Sequence, residues 1–381
     1  MKSHAIVFAG LCVAALAACG GVDLVGPAKE GCTTAPLFSV SPVEMRDIEL
    51  ITVVGSLGAP GHTLPTPQAG FYLDTEGAVV RAPSAMQILT IRRTTYVRSP
   101  NRQGKQDYST NFQVCKDIGG WFGHLTTLSA SIPITGGWKE CETYSTAIET
   151  VESCTAKLKG VTVTAGQELG TGGLSKALGL MGLDFGVTDS RVDNGFVANW
   201  RHSDPVRQAI CSWDRFEPGV RAQLYAKLKD PSRTTAVAAG EPRCGTMKVD
   251  VANTAKGVWA PPSATSRLQG NETEYITLAN NPYRPEDELA LSLGPQTLGA
   301  NVGLVARGSA TDRVNRPFEF VTADGAVYCY GPQVGRPGVS WLVSMTGTNA
   351  LSVKRVDNFT SSICTAPAST WSMAGATTFV R

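Results

Sequence analysis

Two histidines and one aspartate have side chains that bind metal ions or move protons: His62, His124 and Asp184. The chain contains only four histidines, so these two are half of its imidazoles. Two imidazoles and one carboxylate hold a zinc ion and leave a fourth position for water, provided that the fold brings them together. The sequence therefore predicts a candidate metal site at these residues, with His124 also the candidate catalytic residue.

Each of these residues also has a purely structural explanation. His62 would then close a tight turn, and His124 would be a core histidine with satisfied hydrogen bonds. Asp184 lies in an apolar run, where an inward carboxylate needs a partner. Arg191 or a backbone N–H group is the alternative to a metal. His202 is expected to be an exposed loop residue.

Three motifs occur in a fixed order along the first half of the chain. They are APGHTLPT at 59–66, WFGHL at 121–125 and VTVTAGQELGTGG followed by GLDFGV within 161–189. Over roughly residues 37–191 they resemble the lysostaphin-type zinc endopeptidases of bacterial cell walls, the LytM-like or duplicated hybrid motif family. The resemblance implies that this part of the chain is an antiparallel β domain. It also implies that the chain is a degenerate member of the family, in which several site residues are replaced.

The resemblance assigns a role to each matching position. The family holds zinc with Gly-His-x-x-x-Asp and the second histidine of His-x-His, and two further histidines assist the attacking water. His62 matches the first ligand, and His124 matches a catalytic histidine. Thr66 stands where the family has its aspartate, and Gly182-Leu183-Asp184 replaces His-x-His. A neutral hydroxyl and a missing side chain predict that ordinary hydrolysis is lost.

Two functions from different classes follow. The first is a cell-envelope lipoprotein whose peptidase-derived domain is non-hydrolytic, needs no cofactor, and binds peptidoglycan or an envelope protein partner. The alternative is a noncanonical metal-dependent cell-wall peptidase that binds zinc through His62, His124 and Asp184. In that case His124, as a ligand, no longer serves as the base, which makes hydrolysis harder to support.

The amino-terminal sequence predicts export and a lipid anchor. Lys2, an apolar run over 5–15 and Leu16-Ala17-Ala18-Cys19 have the form of a bacterial lipoprotein leader. We expect residues 1–18 to be a signal peptide, Cys19 to be lipidated in the membrane, and 19–36 to be a tether. Gly20 favours the outer membrane, if the cell has one. An ordinary secretory signal is the alternative.

The remaining cysteines also indicate an exported protein. Of ten cysteines, Cys12 would leave with the leader and Cys19 would be lipidated, which leaves 10 − 2 = 8. An even number in an exported chain predicts disulfides. Closeness in sequence favours pairing Cys141 with Cys154 and Cys211 with Cys244.

Composition excludes several classes of protein. Charged residues make up 17% of the chain and the formal net charge is +2, so nothing indicates a nucleic-acid partner. The sequence has no phosphate loop, Rossmann fingerprint or Gly-x-Ser-x-Gly elbow.

Five tryptophans are candidates for a glycan-binding surface, although aromatic residues more often form the core. They are Trp121, Trp138, Trp200, Trp213 and Trp259.

Short apolar runs between turn residues predict a mainly β fold. We expect an antiparallel lysostaphin-like β domain over 37–204 and a second β-rich domain over 205–381. One amphipathic helix is expected after Glu217-Pro218. Segment 148–159 is open between helix and loop, and 174–181 fits one or two helical turns. Strands are expected at 48–54, 71–74, 77–81, 87–91, 95–97, 108–114, 161–164, 183–187, 247–251, 273–278, 288–293, 301–307, 318–322, 326–330, 339–345 and 351–356.

Overall fold

The computed structural model describes residues 24–32, 36–58, 62–145, 149–177, 180–231, 235–236, 243–264, 272–294, 298, 302–358 and 360–381. The expected signal peptide and Cys19 lie outside these residues, as does part of the expected tether. Within the described ranges, no helix has both the length and the apolar character needed to cross a membrane.

The described chain is mainly β and its sheets are antiparallel, as predicted. The first twelve strands are β1 (Ile48–Ile51), β2 (Gln68–Leu73), β3 (Ala78–Arg81), β4 (Met86–Arg98), β5 (Gln106–Cys115), β6 (Ile118–Leu128), β7 (Lys139–Ser145), β8 (Thr150–Val163), β9 (Glu168–Gly172), β10 (Ser175–Ala177), β11 (Leu180–Asp189) and β12 (Ala209–Ile210). They form one sheet with the order β1-β2-β11-β6-β5-β4-β8-β7, to which β3, β9, β10 and β12 are added.

The second half contains smaller sheets and two short α-helices. The helices are α1 (Asp204–Gln208) and α2 (Pro218–Tyr225). The strands are β13 (Lys229–Asp230), β14 (Thr235–Ala236), β15 (Gly257–Trp259), β16 (Ile276–Asn280), β17 (Glu288–Leu293), β18 (Val302–Ala306), β19 (Tyr328–Tyr330), β20 (Val339–Gly347), β21 (Ala350–Asp357) and β22 (Thr377–Val380). Strands β15 to β18 and β19 to β22 each form a four-stranded sheet in sequence order.

Strand β11 lies between β2 and β6 in the large sheet and has two different faces. Leu183, Phe185 and Val187 are fully buried on one face. Because side chains alternate along a strand, Asp184 lies on the opposite face. The Phe185 ring lies 4.9 to 6.3 Å from six other aromatic rings. One face of β11 therefore anchors the core, and the other carries the candidate site.

Gly186, two residues after Asp184 on β11, makes room for a tryptophan on the neighbouring strand β6. Gly186 pairs with Trp121, and a Cβ atom on Gly186 would lie 2.2 Å from Cζ2 of that indole. Trp121 is only 4% exposed, so the ring has little freedom to move away. We expect Gly186→Ala to lower the free energy of unfolding by about 1 to 3 kcal/mol, as overpacked sites do.

The control for this variant is the same substitution in open space. A Cβ atom on Gly219, in α2, meets no atom within 4 Å. Alanine is the better helix former, so Gly219→Ala should leave the free energy of unfolding unchanged or raise it by up to about 1 kcal/mol. Urea denaturation measures both values, and equal losses in the two variants would contradict the packing argument.

The predicted amphipathic helix forms as α2 and packs on the large sheet. Leu224 is fully buried in the core of that sheet, together with Leu228 just after the helix. Trp213 and Phe216 belong to the same core. Residues that follow the predicted boundary at 204/205 thus complete the first core. A second core, which includes Trp259 and Trp341, fills the space between the two four-stranded sheets.

Two predicted strands of the second half are wrong. Segment 247–251 forms no strand, and the N–H of Val249 donates to the carbonyl of Met247 instead of to a neighbouring strand. Segment 318–322 contains the 3-10 helix Phe318–Phe320, which follows Pro317. Its turn buries Phe318 and leaves Phe320 46% exposed. Asp324-Gly325, with Gly325 at φ +71°, lies between this 3-10 helix and β19.

Two ambiguous segments of the first half are strands. The predicted helical turns at 174–181 are wrong, because β10 pairs with the start of β11 as a hairpin. Residue 148 lies outside the described residues, and 150–159 of the segment 148–159, open between helix and loop, belong to the 14-residue strand β8. Along most of its length β8 pairs with β4, which supplies the backbone partners that a local sequence pattern does not reveal.

Four disulfides connect the eight cysteines of the described chain. Cys141 pairs with Cys154 and Cys211 with Cys244, as closeness in sequence suggested. The other two pairs are Cys32 with Cys115 and Cys329 with Cys364. Disulfides persist in oxidising compartments, so this pairing supports the expectation of an exported protein.

Candidate functional site

Three neighbouring strands place Asp184 between two glycines. Asp184 on β11 pairs with Gly70 on β2 and with Gly123 on β6. Neither neighbour has a side chain, so both sides of the carboxylate are open. A Cβ atom on Gly123 would lie only 3.1 Å from Oδ2 of Asp184. The sheet thus leaves room around this carboxylate for side chains that arrive from further along the strands.

His124 reaches Asp184 through an irregularity in β6. The pairing of β5 with β6 matches Tyr108 to Leu125 and Thr110 to Phe122, so β6 has one extra residue between these pairs. His124 adopts φ +64°, a left-handed conformation that L-residues other than glycine rarely adopt. Bulges of this kind bend a strand and redirect a side chain. Here it brings Nε2 of the imidazole to 3.6 Å from Oδ2 of Asp184.

The imidazole of His124 lies between two carboxylates. Its Nδ1 is 2.9 Å from Oδ2 of Asp107, on β5, while Nε2 faces Asp184. Burial alone would lower the pKa of His124, but Asp107 and Asp184 outweigh it and raise the pKa to about 9. The side chain is therefore an imidazolium at neutral pH, and both nitrogens carry protons directed at carboxylates.

His62 lies nearby, on a turn closed by hydrogen bonds between Gly58 and His62. Its Nδ1 is 3.7 Å from Oε1 of Glu272, and Oε2 of Glu272 accepts the N–H of Leu64. Burial opposes the charged form of His62, but Glu272 and Asp184 raise its pKa, while His124 lowers it. The two histidines and Asp184 thus lie in one electrostatic cluster, and the side chain of His62 remains one-third exposed.

The donor types of this cluster suit zinc, but their arrangement is not a closed ligand shell. In the described part of the chain, one group of three or more ligand atoms lies within 4.8 Å of one another, and it is Cys211, Asp214 and Cys244. Those two sulfurs form a disulfide and are not available as thiolates. His124 is held by Asp107 and Asp184, so a metal at its Nε2 would have to displace a proton. The three-residue zinc site stays a prediction.

The positions that depart from the family pattern have structural roles. Thr66 is buried, and its hydroxyl donates to the carbonyl of Gln68 at 3.3 Å. Gly182 pairs with Tyr72 on β2 and with Ser175 on β10. Neither residue offers a charged ligand.

Three residues near the site were missed by the sequence analysis. Asp107 and Glu272 face the two histidines, and Tyr72 lies beside Asp184, where burial and that carboxylate raise its pKa. Asp107 lies one strand away from His124, and Glu272 comes from the second half of the chain. No local sequence signal marks either carboxylate.

The structural alternatives have mixed outcomes. Arg191 pairs with Asp189 at 2.8 Å and not with Asp184. The prediction that His202 is exposed is wrong, since it is 2% exposed and stacks on Phe196 at 4.0 Å between ring centroids. Burial, together with two nearby arginines, lowers the pKa of His202 to about 4. His202 is thus a neutral core residue at neutral pH.

The tryptophans do not form a common surface. Trp121, Trp213 and Trp259 are buried in the cores. Trp200 is 50% exposed, and the half-buried ring of Trp138 lies 4.6 Å below the guanidinium of Arg93. Only the last two are accessible to a glycan.

Comparison with known proteins identifies no relative. No protein-family model, no curated protein and no solved structure matches this chain.

Proposed function

We propose that this protein is a membrane-anchored lipoprotein of the cell envelope whose first domain derives from a lysostaphin-like peptidase and binds peptidoglycan without cutting it. An envelope protein partner is the other ligand class of the same proposal. The four disulfides support export. The leader sequence supports an anchor at Cys19, in the outer membrane if the cell has one.

The observation that carries the non-hydrolytic part is the position of His124. Its two nitrogens face Asp107 and Asp184, and its pKa of about 9 keeps it protonated at neutral pH. While it is protonated, the imidazole has no free lone pair, so it accepts no proton from water, and a metal would first have to displace a proton from it. Thr66 and Gly182 supply no replacement. The centre is thus suited to bind polar groups of a ligand through hydrogen bonds and charge.

Binding to purified sacculi tests the proposal. Lipid-free protein should co-sediment with sacculi, and Asp184→Asn should weaken this binding at least tenfold, since it removes the carboxylate that faces His124. Asp312→Asn, which removes an exposed carboxylate elsewhere, is the matched control and should bind normally. Equal binding by both variants would show that the ligand does not use this centre.

One observation favours the alternative, a metal-dependent cell-wall peptidase. Nδ1 of each histidine faces a carboxylate, Asp107 for His124 and Glu272 for His62. Carboxylates in this position commonly orient metal-binding histidines and leave Nε2 for the metal. Zinc would then be held by His62, His124 and Asp184.

Metal content separates the two functions. After dialysis against zinc, the binding function predicts well below one zinc per chain, measured by mass spectrometry of the lipid-free protein. One zinc per chain that disappears in both His62→Ala and Asp184→Ala would favour the peptidase.

A further inference from the structure

An open cleft of about 570 Å³ lies between α2 and the segment 243–245. Its lining includes Asp214, Arg221, Tyr225, Arg243 and the disulfide between Cys211 and Cys244. A volume of this size falls in the range of small-molecule sites, roughly 300 to 1,000 Å³. The cleft shares no residue with the histidine and aspartate cluster.

Two arginines line this cleft without a carboxylate partner. Among the described residues, no ion pair within 4.0 Å involves Arg221 or Arg243. A guanidinium presents a planar set of donors that matches a carboxylate or phosphate. Two of them on one concave surface favour an anionic ligand.

The positions of these groups are constrained before a ligand arrives. The guanidinium of Arg243 lies 4.6 Å over the ring of Tyr225, which itself donates a hydrogen bond to Oδ1 of Asp214 at 2.6 Å. The N–H of Asp214 donates to Sγ of Cys211 at 3.3 Å. The disulfide joins the segment before α2, at Cys211, to the turn at Cys244. Such preorganisation reduces the entropy that binding would otherwise cost.

The charge of the lining indicates which anion fits. Arg221 and Arg243 contribute two positive charges and Asp214 one negative charge, so the side chains of the lining sum to about +1. A single carboxylate neutralises this charge, whereas a phosphate dianion would exceed it and would meet the carboxylate of Asp214. Pro218, Ala222 and Ala226 supply apolar surface for an organic body.

We propose that this cleft binds a small organic monocarboxylate of about dipeptide size, through Arg221 and Arg243. This site is independent of the proposed binding of peptidoglycan at the histidine cluster. The charge and shape of the cleft define it, so the proposal does not depend on whether the histidine cluster binds a ligand.

Titration calorimetry with N-acetyl-alanyl-alanine tests the proposal in lipid-free protein. The dipeptide acid should bind, and its carboxyl-terminal amide, which lacks the charge, should bind at least tenfold more weakly. Arg221→Ala and Arg243→Ala should each weaken binding of the acid at least tenfold. Arg336→Ala removes an exposed arginine outside the cleft and should bind like the native chain. Inorganic phosphate should bind more weakly than the dipeptide acid.

Charge-conserving variants distinguish the loss of ligand contacts from a loss of folding. Arg221→Lys and Arg243→Lys keep the positive charge but lose the paired donors, so they should show intermediate affinity with an unchanged thermal midpoint. Equal binding of acid and amide, native affinity in both alanine variants, tighter binding of phosphate, or no binding of the acid at millimolar concentration would each overturn the proposal.

Discussion

Phe185→Ala will lower the free energy of unfolding by about 3 to 5 kcal/mol, the usual cost of truncating a fully buried phenylalanine. Phe185 is 0% exposed at the centre of β11. Its ring lies 4.9 Å from that of Phe122 and contacts five further aromatic rings. Those rings come from distant parts of the chain, so they cannot all move into the cavity. Urea denaturation, followed by tryptophan fluorescence, measures the loss.

Phe320→Ala is the matched control for this prediction. Phe320 is 46% exposed in a 3-10 helix of the second half. The same truncation there should change the free energy of unfolding by no more than about 0.5 kcal/mol. A loss at Phe320 as large as the loss at Phe185 would contradict the assignment of Phe185 as the centre of the first core.

The metal-free protein will lose about 3 kcal/mol of stability as the pH rises from about 6.5 through about 9, because His124 is stabilised as a cation. Asp107 and Asp184 raise its folded pKa to about 9 against burial. In the unfolded chain its pKa returns to about 6.5. The contribution is therefore fully present below pH 6.5 and is lost as the pH passes the folded pKa. The figure is an upper value, since the side chain is 28% exposed.

Urea denaturation at several pH values, in the presence of a chelator, measures this dependence. His124→Gln keeps a hydrogen-bonding side chain but cannot be protonated, so its stability should fall much less over the same interval, with only the contribution of His62 remaining. Proton NMR gives an independent check, since the pKa of His124 should be near 9 and that of His202 near 4. Equal slopes for the native chain and His124→Gln would contradict the arrangement of carboxylates around His124.

Sequence patterns predict the parts of this fold that depend on local contacts. The alternation in 183–187 identifies the central strand, and the Pro218 start identifies α2. Two disulfides follow from closeness in sequence. Segment 174–181 misleads because Leu174 and Met181 have helical spacing, while the actual partner of the segment is the start of β11. Backbone pairing between distant strands is not encoded in a local period.

The candidate site shows the same division. The strand order places β11 beside β6, and Nε2 of His124 therefore lies 3.6 Å from Oδ2 of Asp184. His62 lies on a turn outside these strands, and its place in a three-residue site stays a prediction. The carboxylates that set the charge of His124 and His62 lie 17 residues away for Asp107 and 210 for Glu272. Only the folded chain brings them to the imidazoles. His202 differs from its expected exposure for a related reason, since its stacking on Phe196 depends on a loop conformation that the residues WRHSD do not specify.

Release of soluble muropeptides from purified sacculi is the most direct test of the central claim, that an ancestral cutting centre is kept for binding. Lipid-free protein with added zinc should sediment with the sacculi and release no fragments above the level of a heat-denatured sample. Fragment release that disappears in both His124→Gln and Asp184→Asn would contradict the claim and assign the protein to the metal-dependent peptidases.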